Sequence, residues 1–203
     1  MENEINFYQN EARLVLGFHG CEKKVRDKVL LNPNDNLTPS NNTYDWLGNG
    51  IYFWLNDPQR ALEWAEEQHK RDKYQSEPSV IGAIIDLGDC LNLAERNSAI
   101  LLKEGYEHLK NNMKKQNLEL QTNILTKNGK FSFMRELDCA VFKEVHEILE
   151  QQSGKSFDTV MGYFEEGDLI YPGAFFHEKS HIQICVRNTD CIKGYFLPKS
   201  FTT

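Results

Sequence analysis

Apolar and polar stretches alternate along the 203 residues in a way that predicts strands at both ends of the chain and helices between them. Short apolar runs predict strands over residues 14–18, 51–54, 80–87, 159–164 and 181–186. The first run ends at His19-Gly20, so we expect a buried strand that delivers a histidine at its tip. Residues 32–42 are rich in Asn, Pro and Ser, which favours a loop.

Helical spacing follows each of the first two strands and returns later in the chain. Residues 23–30 predict one helix, and Asn56 or Asp57 can cap another that starts at Pro58, where the missing amide hydrogen costs nothing. Residues 95–120 are loosely amphipathic, and 138–151 place apolar residues on one face, with Asp138 as a plausible N-cap. Strands at both ends with helices between them predict an α+β fold.

Length and composition indicate a single globular domain, with 40% hydrophobic and 26% charged residues. No stretch of about 18 apolar residues occurs, and the first ten residues lack a basic segment followed by an apolar run. We therefore expect neither a membrane span nor a standard secretion signal. Five scattered cysteines without a C-x-x-C pair favour reduced thiols and a cytoplasmic location.

The net charge of -7 disfavours a protein that coats nucleic acid, because phosphate backbones are repelled on average. Residues 103–130 reverse that sign locally, with six lysines against three glutamates. Such a run is typical of a solvated helix face, and it is also compatible with a surface that faces a substrate.

Three short segments carry candidate chemistry: residues 18–21 (FHGC), 48–54 (GNGIYFW) and 181–186 (HIQICV). The first two resemble the ADP-ribosyltransferase superfamily, in its His-Tyr-Glu branch of poly(ADP-ribose) polymerases and diphtheria-like toxins. His19-Gly20 matches the family's first motif, and Gly48 to Phe53 resembles its G-x-G-x-Y-F turn and strand, with Tyr52 on the stacking tyrosine. The resemblance covers roughly residues 14–66 and 159–186.

The resemblance implies a split antiparallel β-sheet with flanking helices, as one domain over residues 1–203 with a helical insertion at about 92–152. It implies NAD as a substrate, loss of nicotinamide and no metal. In that setting His19 and Gly20 hold the nicotinamide ribose and amide, Tyr52 stacks on the ring, and Gly50 completes the turn. Arg135 could contact the diphosphate through its bidentate guanidinium, or simply belong to a helix cap and surface pair.

The family's third element is a glutamate on a later strand. Alternation along 181–186 places His181, Gln183 and Cys185 on one face, so Gln183 takes the glutamate's position. An amide can hydrogen-bond a ribose hydroxyl but supplies no negative charge and cannot accept a proton from an acceptor. The sequence therefore predicts either a different acceptor chemistry or weak transfer.

The resemblance implies a loop before this strand that faces the acceptor, a macromolecule that is either a nucleic acid or a protein. Its candidates are two aromatic residues, three glutamates for the missing base, and a histidine: Tyr171, Phe175, Glu165, Glu166, Glu178 and His181. Family analogy suggests an intracellular toxin or antiphage effector, with an inhibitory antitoxin or chaperone as a further partner.

Four other interpretations compete with this one. Residues 177–181 (HEKSH) form the H-E-x-x-H string of zinc peptidases, although nearby Pro172-Gly173 and the strand pattern from His181 argue against a helix. Cys21 or Cys185 could be a nucleophile beside a histidine. His19, Tyr52 and Trp54 could instead be ordinary core residues, and Gln183 favours a module that binds NAD or ADP-ribose with little catalysis.

Overall fold

The computed structural model describes residues 13–32, 34–71, 73–124 and 134–199. These residues form an α+β fold, which confirms the predicted class. Seven strands are β1 (Leu14–Glu22), β2 (Ile51–Leu55), β3 (Pro78–Asp86), β4 (Cys90–Asn92), β5 (Thr159–Phe164), β6 (His181–Val186) and β7 (Ile192–Phe196). Four α-helices are α1 (Lys23–Leu31), α2 (Pro58–Lys70), α3 (Arg96–Lys115) and α4 (Glu136–Ser153).

The strands form one sheet in the order β4-β5-β6-β2-β1-β3-β7. All neighbours are antiparallel except β4 and β5, which run parallel, so the expectation of a wholly antiparallel sheet is wrong for that pair. β1 pairs with β3 along all nine residues, whereas its register with β2 covers only Gly17 opposite Leu55 and Phe18 opposite Trp54. The two halves of the sheet are therefore joined by a short seam.

β1 continues four residues beyond the predicted strand, because its pairing with β3 extends to Glu22 opposite Pro78. His19 consequently lies within a strand and not at its tip, which corrects the prediction. Its position matters for another reason: it is the first residue of β1 beyond the two that are in register with β2.

The predicted helix starting at Pro58 is confirmed as α2, and Asp57 is its cap, since its Oδ1 accepts the Arg60 backbone N–H at 2.9 Å. The inward face of α2 packs on β1 so closely that a Cβ at Gly20 would lie 2.1 Å from the Ala61 carbonyl oxygen. This contact accounts for glycine at position 20 through helix–sheet packing alone.

α3 and α4 occupy the segment predicted as a helical insertion, and they pack together at Gly105, where a Cβ would lie 2.3 Å from Val145. Arg135, and not Asp138, is the N-cap residue of α4. Asp138 lies in the first turn, where it accepts hydrogen bonds from Arg135 Nε at 2.6 Å and Asn123 Nδ2 at 2.9 Å. Lys127 and Lys130 of the predicted basic segment lie outside the described residues.

Among the described residues the core consists of three hydrophobic clusters. Phe53, Ile81 and Ile184 belong to the largest, and Val160 and Cys185 belong to a second on the opposite face of the sheet. The third, around Trp54 and Ala61, lies between the sheet and α2. All five cysteines are free thiols. Among the helices described, none is both long enough and apolar enough to cross a membrane.

Candidate functional site

A cavity of about 450 Å³ is lined by β1, β2, α2, β6, the loop before β2 and the residues before α4. It brings together the three residues predicted to be catalytic, His19, Tyr52 and Gln183, which are distant in sequence and come from three different strands. Gly50 and Arg135 also line it. Its volume lies within the range of small-molecule sites.

The His19 side chain bridges β1 and β2 where their register ends. Its Nδ1 lies 2.7 Å from the carbonyl oxygen of Tyr52, and because a carbonyl can only accept, Nδ1 carries the proton. Burial lowers the pKa of His19, so the ring is neutral at neutral pH. Nε2 is then a hydrogen-bond acceptor on a side chain that lines the cavity.

The Tyr52 side chain lines the cavity, and its hydroxyl is hydrogen-bonded to the backbone of the preceding turn. The hydroxyl donates to the Gly48 carbonyl oxygen at 2.7 Å and accepts the Leu47 N–H at 3.0 Å. Gly48 has a φ of 80°, which glycine adopts without steric cost. Burial raises the pKa of Tyr52 well above its ordinary value, so the phenol stays protonated. The ring is the part of this side chain that remains for a ligand.

Gln183 is held by an indole. Trp46 Nε1 donates to Gln183 Oε1 at 2.6 Å, and since an indole N–H can only donate, this contact fixes the orientation of the amide. The Nε2 amino group is therefore the polar atom left for the cavity. The predicted alternation is confirmed, because Ile184 and Val186 lie in the largest core cluster and Cys185 lies in the cluster on the opposite face of the sheet.

Arg135 lines the cavity and also pairs with the first turn of α4, so contact with a diphosphate stays a prediction. Its guanidinium lies over the Trp46 ring at 5.1 Å and the Phe164 ring at 5.7 Å, and it lines the cavity. Its Nε also donates to Asp138 at the start of α4. While Nε makes this ion pair, the flat face of the guanidinium lies against the rings of Trp46 and Phe164.

Of the two glycines predicted to contact NAD, Gly50 lines the cavity and Gly20 does not. A Cβ at Gly50 would lie 2.5 Å from Cys185 Sγ and 2.6 Å from the Val186 carbonyl oxygen, so only glycine fits at this lining position. Gly20 is not among the residues that line the cavity, and the Tyr74 hydroxyl lies 3.4 Å from its carbonyl oxygen.

Among the predicted acceptor-side residues, Glu166 is the one that lines the cavity, where it is 7% exposed. Glu165, Tyr171, Phe175 and Glu178 are exposed side chains outside the cavity wall, with Phe175 90% exposed. His181 is buried behind the wall, against the rings of Trp54 at 5.9 Å and Phe164 at 5.5 Å.

Helix α2 adds site residues that the sequence interpretation missed. Arg60, Trp64 and Gln68 line the cavity together. Arg60 is 4% exposed, and its Nη2 donates to both carboxylate oxygens of Glu166 at 2.7 Å. Their spacing of four residues places all three on one helical face, which is a signal present in the sequence.

Three histidines with lowered pKa values give a prediction on stability. Burial lowers the pKa of His19 and His181 below 6.5 and that of His146 to about 3. Below pH 6.5 the unfolded chain binds protons that the folded protein does not, so the free energy of unfolding should fall with falling pH, by up to about 1.4 kcal/mol per pH unit for each histidine. Urea unfolding at about pH 7.5 and about pH 5.5 measures this, and equal stability at both would contradict it.

The competing sites have unsuitable geometry. Residues 177–181 form a turn and the first position of β6, so the H-E-x-x-H string is not helical, and His181 Nδ1 donates to the Lys179 carbonyl oxygen at 2.6 Å. In the part of the chain that the structure describes, no group of three His, Cys, Asp or Glu is placed to hold a metal. Burial raises the pKa of Cys21 to about 12 and that of Cys185 further, which leaves little thiolate.

Comparisons of this chain with protein-family models, with curated proteins and with solved structures find no match. The residues of the cavity are therefore the basis on which a function can be inferred. They combine a neutral histidine, an oriented amide, a buried ion pair and several aromatic rings around one small-molecule-sized space.

Proposed function

We propose that this protein is an NAD-dependent ADP-ribosyltransferase, which releases nicotinamide and transfers ADP-ribose to a macromolecular acceptor. The observation that supports this proposal is the meeting of His19, Tyr52 and Gln183 at one cavity.

In the proposed reaction the bond between the nicotinamide nitrogen and the ribose C1′ breaks, and nicotinamide leaves with the bonding electrons as a neutral molecule. A nucleophilic atom of the acceptor then bonds to C1′ and loses a proton. The intermediate stage has oxocarbenium character, so the site must hold the leaving ring and orient the ribose. No step in this sequence requires a metal.

The side chains fit these tasks. Neutral His19 offers Nε2 as an acceptor for a ribose hydroxyl, and the Tyr52 ring offers a flat face for the pyridine. Gln183, with its carbonyl oxygen on Trp46, offers an amino group to a second ribose oxygen. Arg135 at the cavity edge supplies positive charge for the diphosphate.

The fold supports the proposal at a coarser level. β1 and β2 share a two-residue seam and β1 then follows β3, which agrees with a split sheet whose halves part beside His19. The helix pair α3 and α4 agrees with an insertion in a single ADP-ribosyltransferase-like domain. The parallel β4–β5 pair departs from the expected antiparallel pattern.

For the acceptor, the proposal includes a nucleic-acid base or a protein side chain. Exposed Tyr171 and Phe175 could stack on a base, and the lysines of α3 could attract a phosphate backbone. The proposed setting is the cytoplasm, as a toxin or antiphage effector restrained by an antitoxin or chaperone.

The direct test is incubation of the purified protein with NAD labelled in the adenylate moiety, together with separate pools of RNA, DNA and protein. The proposal predicts free nicotinamide and label in one macromolecular pool. Binding of NAD without release of nicotinamide would instead support the second candidate, a module that recognises NAD or ADP-ribose, which the amide at Gln183 favours.

Gln183→Glu tests the third element of the site. A carboxylate would keep the Trp46 contact through one oxygen and bring negative charge to the ribose, so NAD hydrolysis should rise about tenfold or more while transfer to the acceptor falls. Nicotinamide release and label transfer are measured in the same reactions. Gln59→Glu, at an exposed position of α2, is the matched control. If neither rate changes in Gln183→Glu, Gln183 is not part of the catalytic site.

A further inference from the structure

We propose that Asp45 makes the cavity selective for the oxidised dinucleotide, because its carboxylate faces the positive charge that the nicotinamide ring carries in NAD and lacks in NADH. The inference rests on the proposed function, since it takes the ring to stack on Tyr52. It adds a specificity residue to which the sequence motifs assign no role.

The charges around the cavity single out Asp45. Six charged side chains line it: Asp45, Arg60, Arg71, Lys73, Arg135 and Glu166. Glu166 accepts from Arg60 at 2.7 Å, and Arg135 pairs with Asp138 at 2.6 Å. These pairs can still donate hydrogen bonds, but their charges are balanced. Asp45, Arg71 and Lys73 form no ion pair with another described residue, so their charges remain for a ligand.

The three remaining charges are one negative and two positive. NAD carries the opposite set, with one positive charge on the nicotinamide ring and two negative charges on the diphosphate. NADH keeps the two negative charges and has lost the positive one. The described wall of the cavity is therefore complementary in charge to the oxidised form, and Asp45 is the unpaired group on it that can distinguish the two forms.

Asp45 lies close to the ring on which the nicotinamide is proposed to stack. Its carbonyl oxygen accepts the Gly48 N–H at 2.8 Å, and the Tyr52 hydroxyl donates to the Gly48 carbonyl oxygen at 2.7 Å. Burial is the main cause that raises the pKa of Tyr52, and Cys185 and the Asp45 carboxylate add to the rise. A cationic ring stacked on Tyr52 therefore lies in the field of this carboxylate.

The loop of residues 40–50 holds the carboxylate in place. Ser40 and Gly50 exchange backbone hydrogen bonds of 2.8 and 3.1 Å, which close the loop. Asp45 Oδ2 accepts the Asn42 backbone N–H at 2.8 Å, and Oδ1 accepts Asn42 Nδ2 at 3.2 Å. Because these donors are neutral, they orient the negative charge without cancelling it. A charge fixed before the ligand arrives costs little further ordering on binding.

Selection of the oxidised form matters for the proposed reaction. In NAD the ring leaves as neutral nicotinamide, since the bonding electrons go to a positively charged nitrogen. In NADH the ring would have to leave as an anion, so its bond to the ribose holds and bound NADH would only compete. A cavity that discriminates against NADH avoids this inhibition.

Calorimetry on the 203-residue protein tests the inference with two ligands, NADH and a non-hydrolysable NAD analogue that keeps the cationic ring. The wild type should bind the analogue at least about tenfold more tightly than NADH. Asp45→Asn keeps an oxygen for the Asn42 N–H and removes the charge, so it should reduce this preference at least about fivefold, through weaker binding of the analogue. Asp190→Asn, the same substitution at an exposed position outside the cavity wall, should leave the preference unchanged.

The other outcomes separate this inference from the proposed function. Equal affinity of the wild type for both ligands, or the wild-type preference in Asp45→Asn, overturns the role of Asp45, and release of nicotinamide from NAD by the wild type would then retain the transferase. If Asp45→Asn fails to fold, Asp45→Ser, whose hydroxyl can also accept the Asn42 N–H, takes its place with the same criteria. Failure of the wild type to bind either dinucleotide overturns the proposed function and this inference together.

Discussion

His19→Ala should lower the rate of nicotinamide release from NAD by about a hundredfold to a thousandfold, the loss typical when one oriented polar group is removed from a reacting centre. Two contacts disappear together. Nε2 no longer accepts from the ribose, and Nδ1 no longer holds the Tyr52 carbonyl oxygen, 2.7 Å away at the seam between β1 and β2. Release of nicotinamide from NAD at saturating concentration is the measurement.

His19→Asn separates these two contributions. An asparagine amide can donate to the Tyr52 carbonyl oxygen much as Nδ1 does, but it leaves no acceptor at the position of Nε2. We expect His19→Asn to fold like the wild type and to remain nearly as slow as His19→Ala. His69→Ala, at an exposed position of α2, controls for loss of a histidine. A wild-type rate in His19→Asn would show that the ribose contact is not needed.

Arg60→Met should lower the free energy of unfolding by about 3–5 kcal/mol, because it leaves the Glu166 carboxylate buried with no cation beside it. Arg60 and Glu166 are joined by two 2.7 Å contacts and have little access to water. Urea unfolding at constant pH measures the loss. The matched control is Lys23→Met, whose pair with Glu77 is exposed and should matter by less than about 1 kcal/mol.

Replacing both Arg60 and Glu166 shows whether the instability of Arg60→Met comes from the unpaired Glu166 charge or from lost packing of the Arg60 side chain. Arg60→Met combined with Glu166→Leu should recover most of the stability that Arg60→Met loses, since paired replacement of a buried ion pair by apolar side chains is often neutral or stabilising. A double variant no more stable than Arg60→Met would show that the guanidinium contributes through its packing.

The sequence predicts a strand correctly where the strand's own residues carry a clear pattern of apolar and polar positions. β5 and β6 have the predicted bounds, because a mostly apolar run defines the first and an alternation of polar and apolar residues defines the second. β4 was missed because three residues carry no periodic signal, and β7 because Lys193 and Gly194 interrupt its pattern. The extension of β1 through His19 depends on pairing with β3, which no local pattern contains.

The site was predictable to the extent that motifs identify it. The resemblance of three short motifs to the ADP-ribosyltransferase superfamily identified His19, Tyr52 and Gln183, and these residues line one cavity. Arg60 was missed because a charged residue on a helix normally faces solvent, and its burial depends on Glu166, 106 residues later. The acceptor contacts of Tyr171, Phe175, Glu165 and Glu178 stay predictions, since these side chains lie outside the cavity wall.

Calorimetric titration of NAD into the purified protein, compared with the same titration into His19→Ala, tests the central claim most directly. A non-hydrolysable NAD analogue serves if turnover obscures the heats. The account predicts one NAD site per chain in the wild type and an affinity at least about tenfold weaker in the variant. The affinity should fall because the variant loses the hydrogen bond to the ribose and the hydrogen bond from Nδ1 to the Tyr52 carbonyl oxygen. No detectable uptake by the wild type, or equal affinity in both proteins, would contradict a dinucleotide held between His19, Tyr52 and Gln183.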